Sequence, residues 1–151
     1  MNKFLIFRTD RIGDFLISAI LIRCIKINDP KSHITVIASK KNYLYIKGFT
    51  YIDDVIKLEN NFLNKIQLIL KLNQVFFKNI IIHDNKKRSK FISLFLKSNN
   101  KIFVDNSLKF SHIQLIKIIL KKLNFSFFDD SLNTLSHKTK TSSKIEDIIQ
   151  L

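Results

Sequence analysis

Two glycines and one proline in 151 residues leave the backbone few places to use a left-handed or proline-fixed turn. The loops must therefore be built from Asn, Asp, Ser and Lys. A single cysteine, Cys24, excludes an internal disulfide and fits a reducing compartment. It falls within a stretch of helical spacing, where a buried small hydrophobe is the ordinary role and a nucleophile has no visible support. Long apolar runs are missing too. The most apolar stretch, Phe15 to Ile22, is far short of the roughly 20 residues a bilayer requires. The N-terminal run meets Arg8 too early to be a signal-peptide core. A soluble, cytosolic protein is expected, to which a membrane surface remains accessible.

Several chemistries are disfavoured on the same grounds. Gly13 is the one glycine of the first strand-to-helix turn, so the Gly-x-Gly-x-x-Gly loop that lets a dinucleotide pyrophosphate approach the backbone is absent. No Gly-x-x-x-x-Gly-Lys-Ser/Thr loop is present for a nucleoside triphosphate. One cysteine and four histidines (His33, His83, His112 and His137) lie far apart and show no zinc-ligand spacing. No resident cofactor or metal is expected.

What the chain does have is positive charge, +14 with a pI of about 10.0. Only Arg8, Arg11, Arg23 and Arg88 are arginines; the remainder is lysine. Clustered arginine with interleaved aromatics would point to nucleic acid. A general lysine-rich surface points instead to solubility and attraction to anionic partners, acidic lipid headgroups included.

The apolar pattern alternates between strand and helix. Phe4–Arg8, His33–Ala38, Asp54–Leu58, Asn79–Asp84 and Lys101–Val104 read as strands, the fourth buried on both faces by its continuous apolar run. Helical spacing covers Asp14–Ile27, Phe62–Phe77, Lys86–Lys97 and Ser111–Leu123, with a short helix or turn at Lys40–Lys47 ended by Gly48. This alternation predicts an α/β, Rossmann-like, mostly parallel sheet with helices on both faces, spanning residues 1–130. Residues 131–151 read as a polar linker followed by the beginning of a helical pattern at Ile145–Leu151. The Phe125-Ser126-Phe127-Phe128 cluster is expected to pack in the core rather than await a partner.

In an open α/β sheet, ligands bind outside the carboxyl ends of the strands. The segment Arg8-Thr9-Asp10-Arg11-Ile12-Gly13-Asp14 places a carboxylate there, at the start of a helix. Asp14 is a candidate general base, because a helix N-terminus favours the ionised, proton-accepting form. Equally, Asp14 or Asp10 could do no more than cap the helix. Arg8 and Arg11 could bind an acceptor phosphate or be solvated surface. Lys86-Lys87-Arg88-Ser89, at the same sheet edge, could form an anion site with its helix N-terminus or be a solvated charge run.

These residues resemble the N-terminal domain of the lipopolysaccharide heptosyltransferases, glycosyltransferase family 9. The family opens with a strand, an Arg/Lys-x-x-x-x-Gly-Asp loop and a helix, matched by Arg8 to Asp14. It continues with an Ile-Thr-Val strand, matched by Ile34-Thr35-Val36-Ile37-Ala38-Ser39, and an aromatic-Ile-Asp-x-Val-Ile segment, matched by Tyr51-Ile52-Asp53-Asp54-Val55-Ile56. A buried strand ending in Asp84, an Arg88-Ser89 helix start and His112 at the head of a late helix complete the order, from about Phe4 to Leu123. The family's usual proline in the first helix is absent here.

The resemblance implies the N-terminal half of a GT-B fold, in an inverting and metal-independent transferase. Asp14 would match the family's proposed base, and Thr9, Arg11, Gly13 and Arg88 would bind the acceptor. The acceptor would be a lipopolysaccharide-core or related glycan, met at the inner-membrane surface. The nucleotide-sugar donor, of the ADP-heptose kind, would need a C-terminal domain or a partner chain supplying that half. The competing readings are a noncatalytic basic binding module and an inactive remnant.

Overall fold

The computed structural model of the chain describes residues 1–104 and 110–129, and the expected linker at 131–151 lies outside them. Five strands form one sheet: β1 (Lys3–Arg8), β2 (His33–Ser39), β3 (Asp54–Leu58), β4 (Phe77–Ile82) and β5 (Ser98–Phe103). Every pairing is parallel and the order is β3-β2-β1-β4-β5, so β1 lies in the centre. The connections carry helices α1 (Ile12–Asn28), α2 (Tyr43–Lys47), α3 (Phe62–Leu72) and α4 (Lys87–Leu94), and α5 (His112–Lys122) follows β5. This is the α/β sheet expected from the alternating pattern.

A parallel strand covered on both faces needs apolar side chains in both directions, and β1 supplies them. Phe4 and Ile6 point into one core with α1, α2 and α5. Leu5 and Phe7 point into the other, beneath α3 and α4. On the first side Phe15 of α1 is fully buried, its ring 4.8 Å from Phe49 in an edge-to-face contact. Cys24 is buried in α1 as a small core residue. Phe125 and Phe127 are half-buried against this same core, whereas Phe128 is exposed. Asn28 pins that segment by bonding both the N–H and the C=O of Ser126.

Boundaries differ from expectation where polar side chains intervene. The helix expected to run through Phe77 ends at Leu72. Asn73 caps it and donates from Nδ2 to Phe95 O at 2.8 Å, and Phe77 opens β4 by bonding Lys97 O. The next helix stops at Leu94, and β5 begins at Ser98 rather than Lys101. Asn99 and Asn100 are poor strand formers. Asn100 is nevertheless accommodated because its Nδ2 donates to Asn79 Oδ1, 3.1 Å away on the neighbouring strand. In the Tyr51–Ile56 segment, Asp53 Oδ2 accepts from Ile34 N (2.7 Å) and Lys26 Nζ (2.8 Å), a structural bolt between β2 and α1. Among the described residues, left-handed backbone occurs at Asn85 (φ 49°) and Asn124 (φ 57°) and at no glycine.

Truncating Phe15 to alanine removes a fully buried ring and leaves a cavity beneath α1. The expected loss is about 3–5 kcal/mol, read as a lower urea midpoint with an unchanged slope.

Candidate functional site

The carboxyl ends of β1 to β4 open into a cleft of about 920 Å³, lined by residues of the 9–14, 39–41, 58–60 and 84–88 segments. Beneath the segments that line it lies Arg8, the last residue of β1, which is 5% exposed. The guanidinium donates from Nη1 to His83 O (2.6 Å) and from Nη2 to Asp14 O (2.5 Å). Its Nε lies 3.1 Å from Asp10 Oδ1 in ion-pair contact, and Nη2 lies 3.9 Å from Asp14 Oδ1. Burial pulls the Arg8 pKa down, and Asp10, Asp14 and Asp84 resist the shift. Burial likewise raises Asp10, against the pull of Arg8. Arg8 therefore does not present its charge to a ligand; it ties β1, β4 and α1 together.

A second buried centre is Asp84, just beyond β4. Its Oδ2 accepts from Thr9 N (3.2 Å), Thr9 Oγ1 (2.6 Å) and Ser89 Oγ (2.7 Å), and its Oδ1 from Lys86 N (3.1 Å). Thr9 Oγ1 in turn accepts from Arg88 Nη2 at 2.9 Å, and Arg88 also bonds Thr9 O and Asn60 Oδ1. Thr9 and Arg88 thus meet at the cleft, held by one another. The Arg88 Nε is buried without a hydrogen-bond partner among the described residues.

Asp14 is the third residue of α1. Its Oδ2 accepts from Arg11 N at 3.4 Å, half of a capping box; Arg11, at the N-cap, offers no acceptor in return. The capping role foreseen for Asp14 is therefore present, while Asp10 spends its charge on Arg8. With its side chain 40% exposed, Asp14 also lines the cleft. Gly13 sits beside it on an open surface where an added Cβ would meet nothing within 4 Å. The exposed Arg11, Lys40, Lys41 and Lys86 side chains line the cleft without an ion pair among the described residues, whereas Glu59 is paired to Lys57 at 2.7 Å. The arrangement is two half-exposed carboxylates, Asp14 and the lysine-paired Glu59, among accessible cations.

Behind Asp14 a cavity of about 80 Å³ is lined by Arg8, His83, Val104, His112 and Leu115 among others. His112, the first residue of α5, is thereby brought beside Asp14. His83 is buried with Nδ1 2.7 Å from Ser18 Oγ. Burial, reinforced by the positive charge of Arg8 and by His112, lowers its pKa to about 3. Sequence reasoning missed the fully buried Asn42, whose Nδ2 donates to Arg8 O (2.9 Å) and Asp10 O (3.2 Å) and whose Oδ1 accepts from Ser39 N (2.8 Å). An Asn directly before a helix reads as a cap; here its side chain holds the Arg8–Asp10 loop instead.

No protein-family model matches the sequence, and no curated protein matches it. Solved structures do. The fold is similar to that of the Escherichia coli heptosyltransferase WaaC with ADP, at a TM-score of 0.70 and 10% identity, over 84% of this chain and 49% of that one. The Veillonella parvula glycosyl transferase family 9 structure matches at 0.70 and 12% identity, over 85% and 42%. The Escherichia coli ADP-heptose lps heptosyltransferase II matches at 0.54 and 18%, over 68% and 30%. The chain spans about half the length of the first two structures or less. The shared feature is the Rossmann-like parallel sheet, the fold class expected from the sequence.

Two outcomes test this anatomy. Arg8→Met leaves the half-buried Asp10 without its cation and is expected to cost about 3 kcal/mol in denaturant unfolding, the lower end for broken buried pairs. His83 stays neutral in the folded chain down to about pH 3, while the unfolded chain takes up that proton near 6.5. The unfolded state thus binds more protons between those values. The contribution is fully present above pH 6.5 and is lost as pH falls towards 3. Asp10, raised in the fold, acts in the opposite sense across the carboxylate range. His83→Asn should flatten the histidine limb in urea midpoints measured across that window, and an unchanged pH profile would count against a neutral buried His83.

Proposed function

We propose that the chain is the acceptor-side domain of an inverting, metal-independent glycosyltransferase, with Asp14 as its general base. The observation that supports it is the division among the carboxylates of the cleft. Asp10 is bound to Arg8, Asp84 to Thr9 and Ser89, and Glu59 to Lys57. Of the two that stay accessible, Glu59 carries its lysine partner, whereas Asp14, its Oδ1 3.9 Å from the Arg8 guanidinium, stands in the first turn of α1 at the mouth.

In this reading the acceptor hydroxyl oxygen attacks the anomeric carbon of the donor sugar as Asp14 takes its proton. The bond from that carbon to the nucleoside diphosphate breaks, and the diphosphate departs from the opposite face, inverting the configuration. A base must lie within hydrogen-bond reach of the proton it removes, and the partial exposure of Asp14 permits such an approach. Arg11, Lys40, Lys41 and Lys86 would draw in an anionic acceptor such as a phosphorylated or acidic core glycan. Thr9 and Arg88 would form the acceptor floor, and the open surface at Gly13 would admit the sugar. The donor, of the ADP-heptose kind, would be held by a second domain or partner chain, since one carboxylate cannot catalyse transfer without a donor in reach. The site of action would be the cytoplasmic side of the inner membrane, as a peripheral protein. Nucleic acid is not the expected partner.

The test is a transfer assay with ADP-heptose and a deacylated core acceptor, on the chain alone and mixed with the C-terminal half of a related enzyme. Turnover is expected in the mixture, and Asp14→Asn should lower it by about 10²–10⁴-fold without unfolding the domain. Persistent turnover in the Asn variant would remove Asp14 from the base role. A folded chain inactive in both arrangements would favour a noncatalytic binding module.

A further inference from the structure

Helices α3 and α4 cover one face of the sheet with Leu68, Leu72 and Ile92 turned inward and buried, joined by Leu96 just beyond α4. Their outer surfaces are apolar as well. On α3, Phe62, Ile66 and Leu70 recur at four-residue intervals, share one stripe, and are 70%, 40% and 63% exposed. On α4 and its C-cap, Phe91, Leu94 and Phe95 are exposed, and the Phe91 and Phe95 rings meet edge to face with centroids 5.0 Å apart. The two helices are joined at both ends, by Arg88 to Asn60 and by Asn73 to Phe95 O. Exposed apolar area concentrated in this way marks an interaction surface.

The charge around the stripe identifies what it meets. From Asn60 to Lys97 the chain carries eight basic residues and one acid, Asp84. That acid is buried beneath Thr9 and Ser89. No carboxylate of this segment is therefore left to face a partner, and Glu59, directly before it, is paired to Lys57. A second copy of the chain would bring the same cations against each other, which like-charge repulsion opposes. Phe and Leu beside Lys, with no anion, is the composition of helices that lie in the interface of an anionic bilayer.

We propose that the outer face of α3 and α4 docks on an anionic phospholipid surface. Phe62, Ile66, Leu70, Phe91, Leu94 and Phe95 enter the headgroup boundary, and the surrounding lysines contact the phosphates. Asn60 and Arg88, at the same end of this layer, line the cleft. A docked domain would thus hold the cleft mouth near the lipid, within reach of an acceptor anchored there. The inference rests on the peripheral-membrane part of the function proposed above and is independent of its transfer chemistry.

The experiment is co-sedimentation of the full chain with phosphatidylcholine vesicles, with and without phosphatidylglycerol. Binding is expected only with the anionic lipid and should weaken with salt. Phe62→Ser/Leu94→Asn should lower partitioning about tenfold or more, and Lys90→Glu/Lys97→Glu, which leaves the stripe intact, by a similar factor. Leu44→Asn, an exposed apolar site on the opposite side of the sheet, should bind as the parent does. Circular dichroism checks that each variant is folded. Equal binding by the parent and both double variants would overturn the proposal. So would self-association that Phe62→Ser/Leu94→Asn abolishes in the absence of vesicle binding. Vesicle binding without turnover in the transfer assay would sustain this surface while the catalytic reading failed.

Discussion

A guanidinium almost without solvent stands at the end of the central strand, and the geometry of the cleft follows from the need to neutralise it. An isolated buried cation is very costly, and losing one partner of a buried pair is strongly destabilising. Arg8 meets that constraint by reaching three separate parts of the chain: His83 beyond β4, Asp10 in the loop, and the first turn of α1 through Asp14. A lysine, with a compact ammonium in place of a planar fork, could not span these acceptors in the same way. The position of Asp14 is thus inherited from the central strand, the most buried and best-paired element of the sheet.

The second consequence is a separation of roles among chemically similar groups. Four carboxylates border one cleft and each has a different set of partners: Arg8 for Asp10, Thr9 with Ser89 for Asp84, Lys57 for Glu59, and the Arg11 N–H with the more distant Arg8 for Asp14. The arginines divide similarly: Arg8 is interior, Arg88 is braced against Thr9 and Asn60, and Arg11 projects into the opening. Bracing of this kind leaves Thr9 and Arg88 with little side-chain freedom to lose on binding, while Arg11 keeps its own.

Much of this architecture was readable from the amino acids. The continuous apolar run of β1, the β-branched run of β2 and the spacing of α1 and α5 gave their elements without ambiguity, because burial and periodicity act locally. The first βα loop was readable for the same reason, a carboxylate at a helix start being a local pattern. Long-range bonds were not readable. Asn42, inside a stretch read only as a short helix or turn, holds a loop more than thirty positions away in sequence. Arg8 looked like a candidate phosphate ligand because nothing in its neighbours announces that His83 O and Asp10 will enclose it. Asn79 and Asn100, unfavourable for strands taken singly, become acceptable only as a pair. The expected end of α3 at Phe77 failed because Phe77 suits a helix stripe and a strand equally, and pairing with β5 decides between them.

The scarcity of glycine has a further meaning at the cleft. Its rim segments turn without it: Asn85 takes the left-handed conformation beside Asp84, and Thr9, Asn42 and Ser89 supply the bonds that shape the loops. Such a rim is a mould set in advance rather than a hand that closes. A molecule entering at this edge would then be selected by how well it fits loops already held in place.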